Sequence, residues 1–274
     1  MRRLLLCFLL SVFLLTACGT SEALPSEILN STDSFAVTTE LIGDVAGFDN
    51  FQVLQGGCVT EDYAWFALLD RTTTESYAST ESCIVKYDMK TMEQIKCSEV
   101  LKLGHANDIT YIEENNEIYV IHVNDKKVSV IDADSLEIKE EKNLAIEGHG
   151  IDYDPNNERF VTACGRASMV FWDKELKKTA FKSSQGTTLV TQGICADDTY
   201  IYHVLWSDPS NEKEPESMIF VNDWEGNLIT KVPLGLKEYE PENISLVGDT
   251  FYISCNNLDD GHSIFKVKIV KVES

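Results

Sequence analysis

Ten side chains between positions 55 and 242 are suited to chemistry in this 274-residue chain. His105 and His149 carry imidazoles, the group whose charge changes nearest neutral pH, and Glu242 supplies a carboxylate that could exchange a proton with them. Arg71 and Arg166 have the planar fork that grips a carboxylate, and Trp206 has a ring on which a sugar or an aromatic could stack. Gln55, Asn107, Asp108 and Gln192 add directional donors and acceptors, making a ligand-binding set with the two arginines and Trp206. A structural role competes with these readings. His, Asn and Asp in turns that open a strand commonly satisfy backbone groups, and for His105 and Asp108 that role takes precedence over catalysis. His122 and His203 read as packing residues, and His262 as a solvated residue of an exposed Asp-Asp-Gly-His turn.

Several common chemistries lack their motifs. The chain has no Gly-x-Ser-x-Gly elbow, no phosphate-binding Gly-x-x-x-x-Gly-Lys-Ser/Thr loop, no His-Glu-x-x-His and no Gly-x-Gly-x-x-Gly. The histidines and carboxylates match no metal-ligand spacing, and no Cys-x-x-Cys pair occurs, so neither a metal site nor a cofactor is expected.

The elements that must position these residues recur with a period of about 45 residues. Five segments open with a glycine-rich or polar turn: Gln55-Gly56-Gly57-Cys58, His105-Ala106-Asn107-Asp108-Ile109, Gly148-His149-Gly150-Ile151, Gln192-Gly193-Ile194-Cys195 and Glu242-Asn243-Ile244-Ser245. Each continues into a short strand, a polar turn and a strand rich in aromatic and β-branched residues, such as 118–123 or 200–206. A third strand follows, and in four units it ends at an aspartate: Asp88, Asp132, Asp173 and Asp223. That aspartate reads as a turn former whose carboxylate accepts backbone N–H groups. A fourth, more polar strand completes the unit.

Four antiparallel strands repeated in this way predict an all-β fold, a β-propeller of five blades with six as the alternative. The last unit lacks a fourth strand of its own. The strand-like run 35–41 precedes the first unit and is placed to supply it, closing the ring. The lead-in turns then gather residues distant in sequence around one funnel.

Over about 35–272 the chain resembles bacterial propeller proteins, through Gly104-His105-Ala106-Asn107-Asp108 and Glu147-Gly148-His149-Gly150. The Gln-Gly and Gly-x-Gly-Ile lead-ins are similar to those of five-bladed glutaminyl cyclases. The Glu-Gly-Trp-Gly and Glu-Leu-Glu patterns expected of those enzymes do not occur, so the resemblance implies a fold rather than an activity.

The N-terminus reads as a targeting signal. Arg2 and Arg3 precede the apolar run 4–15, which is shorter than the roughly 20 residues that a spanning helix needs. Leu15-Thr16-Ala17-Cys18 resembles the lipobox of type II signal peptides, which implies cleavage after residue 17 and lipidation of Cys18. Residues 18–34 then form the lipidated cysteine and a Ser-, Thr-, Glu- and Pro-rich tether, and 35–274 the propeller domain. Acyl chains contribute about 0.8 kcal/mol per buried CH2, enough together to hold a protein at a membrane. The chain is thus expected at the cell membrane, facing the extracytoplasmic side. Its formal charge of −22 excludes nucleic acid as a partner and favours cationic ones. In that compartment Cys83 and Cys97, flanking a hairpin centred near Lys90, are expected opposite each other, either bridged or as buried thiols. The expected partners are the membrane and a small molecule, glycan or envelope protein bound at the funnel. An enzyme (a hydrolase, lyase or cyclotransferase) or a docking platform are the alternatives.

Overall fold

The computed structural model describes residues 34–70, 72, 80–183, 186–207, 217–258 and 261–272. The signal, Cys18, nearly all of the tether and Arg71 lie outside the described residues, as do most of the loops 72–82 and 207–216.

The strands form five antiparallel sheets arranged as a five-bladed propeller. Strand β1 spans Ser34–Asp44. The first blade is β2 (Phe51–Val59), β3 (Tyr63–Asp70), β4 (Ser82–Asp88) and β5 (Glu93–Cys97). The second is β6 (Asp108–Ile112), β7 (Glu117–His122), β8 (Lys127–Asp132) and β9 (Ile138–Asn143). The third is β10 (Gly150–Asp154), β11 (Arg159–Cys164), β12 (Ser168–Asp173) and β13 (Lys178–Lys182). The fourth is β14 (Val190–Ala196), β15 (Tyr200–Trp206), β16 (Ser217–Asp223) and β17 (Leu228–Pro233). In the fifth the innermost position is split between β18 (Tyr239–Pro241) and β19 (Ser245–Val247), both paired with β20 (Thr250–Asn257). Strand β21 (His262–Val272) follows, and β1 pairs with it from Ser34↔Val272 to Asp44↔Ser263. The N-terminal strand thus closes the ring, as its isolated position in the sequence suggests.

Each blade is sandwiched between two others, which explains its burial. The second strands are apolar on both faces and almost wholly buried, whereas the outer β5 and β13 are exposed. The cores therefore lie between blades: Trp65, Ile84 and Ile118 between the first and second, Tyr202, Val221 and Phe251 between the fourth and fifth. The third-strand aspartates make their turns: Asp132 Oδ1 accepts Ser135 N–H at 2.7 Å, and Asp173 Oδ1 accepts Lys177 N–H at 2.8 Å.

Two sequence expectations change. His262 is not solvated: it is the first residue of β21, 7 % exposed, with Nδ1 3.1 Å from Val45 O and Nε2 2.7 Å from Gln52 O. Both carbonyls belong to the chain that leaves β1 after Asp44 and enters β2. Cys97 lies opposite Val85 rather than Cys83, because the turn is centred between Lys90 and Thr91, with Asp88 facing Glu93, and a bulge between Lys86 and Tyr87 shifts the register by one residue more. The two cysteines are diagonal neighbours, and both are unbridged.

Candidate functional site

Five inner strands meet with one edge unpaired by any sheet, so their backbone N–H groups need partners across the central channel. Side chains from the lead-in turns provide them. Asp108, fully buried, accepts Ile109 N–H at 3.0 Å through Oδ1, and Ile151 and Ile194 N–H, both at 3.1 Å, through Oδ2. It thereby joins three blades. Burial pushes its carboxyl well above the usual carboxylate range, while the three N–H groups work in the opposite direction. Asn107 donates to His149 O at 2.6 Å and to Gln192 O at 3.3 Å. Glycine is required where the strands crowd: a Cβ on Gly56 would lie 2.5 Å from Asp108 Cα, and one on Gly193 2.6 Å from Asn243 Cα.

The lead-in end also gathers the acid–base candidates. His149 Nε2 lies 3.4 Å from Glu147 Oε1, and burial lowers the pKa of His149 against that carboxylate's pull. Burial, and then neighbouring His149, take His105 down to about 4. Glu242 is 2 % exposed; burial and then Glu240 raise its pKa well above the usual range, and Asn256 Nδ2 donates to its Oε1. Gln192 Nε2 donates to Glu240 Oε1 at 2.9 Å, and Gln55 Nε2 donates to Leu54 O at 2.8 Å. Trp206 is buried at the end of β15, and Arg166 is exposed on the turn after β11. His122 and His203 are buried against Ser129 and Thr191, as packing residues would be.

At the other end of the channel, where the inner strands run into the second ones, lies a cavity of about 840 Å3. None of the nine described residues among the ten singled out above lines it. Its floor is a ring with one residue from each blade at equivalent positions: Cys58, Thr110, Asp152, Cys195 and Ser245. The ring is stitched across blades. Ser245 Oγ accepts Val59 N–H at 3.0 Å, Asp152 Oδ2 accepts Ala196 N–H at 2.7 Å, and Thr110 Oγ1 donates to Asp152 Oδ1. Asp152 is the ring's one carboxylate; burial raises it to about 6 despite these hydrogen bonds. Tyr63, Trp65, Tyr111 and Tyr153 form aromatic walls, with Trp65 and Tyr111 stacked at 4.8 Å, and Glu61, Asp62, Glu113 and Glu114 stand at the rim.

Sequence reasoning missed this cavity because the turns 60–62, 113–116 and 155–157 read as ordinary polar connections. The signal was present in the pairs Thr110-Tyr111 and Asp152-Tyr153, which repeat polar-then-aromatic at matching places in two blades. Among the described residues no group of three or more His, Cys, Asp or Glu side chains is placed to hold a metal ion.

No protein-family model matches the chain, and no curated protein matches it in sequence. Among solved structures it is similar to the glutaminyl cyclase of Myxococcus xanthus, at 11 % identity and a TM-score of 0.62, covering 86 % of this chain and 97 % of that one. It also aligns with the hydrazine synthase of Kuenenia stuttgartiensis, at 12 % identity and a TM-score of 0.47, covering 84 % and 67 %. At such identities the likeness is one of fold: the glutaminyl cyclase is a propeller of the same kind, and the chain shares its architecture.

Proposed function

We propose that the propeller is the binding head of an extracytoplasmic lipoprotein, held at the cell membrane by lipid on Cys18, which takes a small molecule or a glycan into the mouth of its channel. One observation carries the reading: the aromatic-walled cavity of about 840 Å3 over the Cys58–Thr110–Asp152–Cys195–Ser245 ring. That size suits a small ligand, and hydrogen bonds from the ring across three of the blade junctions brace its floor. Support for the anchor comes from the apolar run 4–15 and Leu15-Thr16-Ala17-Cys18.

A thermal-shift screen of the full chain in detergent, against sugars, cell-wall fragments, amino acids and amines, tests the binding role. Tyr111→Ala/Tyr153→Ala should abolish a shift that His105→Ala/His149→Ala leaves intact. The reverse pattern would move the site to the lead-in end, and no shift with any compound would turn the search to an envelope-protein partner. Cys18→Ala should lose palmitate labelling and membrane retention.

A second reading, an acid–base enzyme, draws on Asp152. A carboxyl raised to about 6 in the floor of a cavity can both give and take a proton near neutral pH.

A further inference from the structure

The geometry points to a compact organic cation, an alkylammonium or quaternary ammonium compound, as the ligand of the channel-mouth cavity. The inference rests on the binding role proposed above and specifies its chemistry.

Three independent features of the cavity converge. The first is its size, about 840 Å3, which admits a small organic molecule rather than only an ion. The second is the wall. Tyr111 and Tyr153 line it half-buried, and aromatic faces attract cations through their quadrupole, most strongly when water is excluded. The protein already uses one ring of this wall in that way: Lys86 Nζ lies 4.3 Å from the Tyr63 ring centroid while paired with Asp134 at 2.7 Å. The third is charge. Glu61, Asp62, Glu113, Glu114 and Asp152 line the cavity, and none of its described lining residues is Lys or Arg. Lys90 neutralises Asp62 at 2.6 Å. The remaining carboxylates have no basic partner in the lining, so an anionic ligand would meet unbalanced repulsion.

The alternatives fit less well. A bare metal ion needs several converging ligands, and the acidic residues are divided between two turns and an inner strand, with no group of three close enough among the described residues. A neutral sugar could stack on the tyrosines and donate hydroxyls to the carboxylates but would leave their charge unbalanced. The chain's formal charge of −22 adds a long-range field that draws cations toward the mouth.

Choline and 3,3-dimethylbutan-1-ol have nearly the same shape and differ in the charge, so calorimetric titration of both into the full chain in detergent, alongside 1,4-diaminobutane, isolates the electrostatic part. Choline or the diamine should bind saturably and at least tenfold more tightly than the neutral alcohol. Glu113→Gln/Glu114→Gln, at exposed rim positions where folding is not at stake, should weaken the cation about tenfold and leave the alcohol unchanged. Asp152→Asn should weaken it further. Equal binding of alcohol and cation, or no binding of either cation, overturns the inference. If neutral sugars instead bind and Tyr111→Ala/Tyr153→Ala removes them, the binding role stands and only the cationic ligand falls.

Discussion

Asp108 Oδ2 accepts the backbone N–H of Ile194 at 3.1 Å, joining two blades 86 residues apart in the chain. The same oxygen holds Ile151 of the intervening blade at 3.1 Å. One carboxylate thus closes part of the channel that five inner strands would otherwise leave lined with unpaired donors.

Replacing Asp108 with Ala strips the acceptor from three backbone N–H groups, two of them in other blades than Asp108 itself. Each orphaned buried donor costs about 1–3 kcal/mol, and relief of the buried carboxyl's desolvation offsets part of the sum. We expect urea unfolding to show a loss of about 2–4 kcal/mol, with Asp108→Asn intermediate because one amide oxygen can still accept. A loss below about 1 kcal/mol would mean that the channel donors find other partners.

The architecture was legible in the sequence because a repeat states the same local solution five times. The blade-opening glycines, the turn aspartates such as Asp132 and Asp173, and the spare strand later seen as Ser34–Asp44 each had one place to go. The cavity was less legible because its floor is a ring built across the repeats. Cys58, Thr110, Asp152, Cys195 and Ser245 share a position but not a chemistry, so no motif marks them. His262 misread for a related reason: its partners, Val45 O and Gln52 O, are more than 200 residues away.

His262 lies where the first and last strands of the propeller are sewn together, its backbone O accepting Val45 N–H at 3.1 Å while its ring nitrogens face Val45 O and Gln52 O. His262→Ala leaves these carbonyls without the imidazole and opens space under β1. The expected loss is about 2 kcal/mol in urea unfolding. Amide exchange should accelerate first along the Ser34–Asp44 strand. Unchanged protection of that strand would show that its ladder with β21 holds closure unaided.

Among the described cysteines Cys97 is half-buried, whereas Cys58, Cys83, Cys164, Cys195 and Cys255 are buried. Burial raises the Cys83 thiol strongly, adjacent Cys97 adding to it, and raises Cys97 more through burial than neighbouring Cys83 lowers it. Thiolate, not thiol, is the nucleophile, so access decides the order of reaction. Iodoacetamide should label Cys97 first in the folded chain, and the buried five only as the protein unfolds, with peptide mass spectrometry reading the sites. Protection of both Cys83 and Cys97 until a reductant is added would reveal a bridge drawn across the diagonal.

Asp152 is raised from the ordinary 3.8 to about 6, principally by burial, with Asp154 adding a smaller push against the bonds from Thr110, Tyr153 and Ala196. An acid with a higher pKa folded than unfolded binds its proton more tightly in the native state. Its contribution to stability is therefore complete below about pH 4 and is lost as pH rises through 6. The histidines lowered by burial, His105 and His122 to about 4 and His203 to about 3, act in the opposite sense, losing stability as pH falls below about 6.5. The two trends overlap in wild type, so the difference between wild type and Asp152→Asn separates them. Between pH 4 and 6.5 that difference should drift against wild type by on the order of 2 kcal/mol. A ligand cation reverses the logic, since it needs the carboxylate: its affinity should rise from pH 5 to pH 7 in wild type and be flatter in Asp152→Asn. A parallel rise in both proteins would leave Asp152 a purely structural member of the ring.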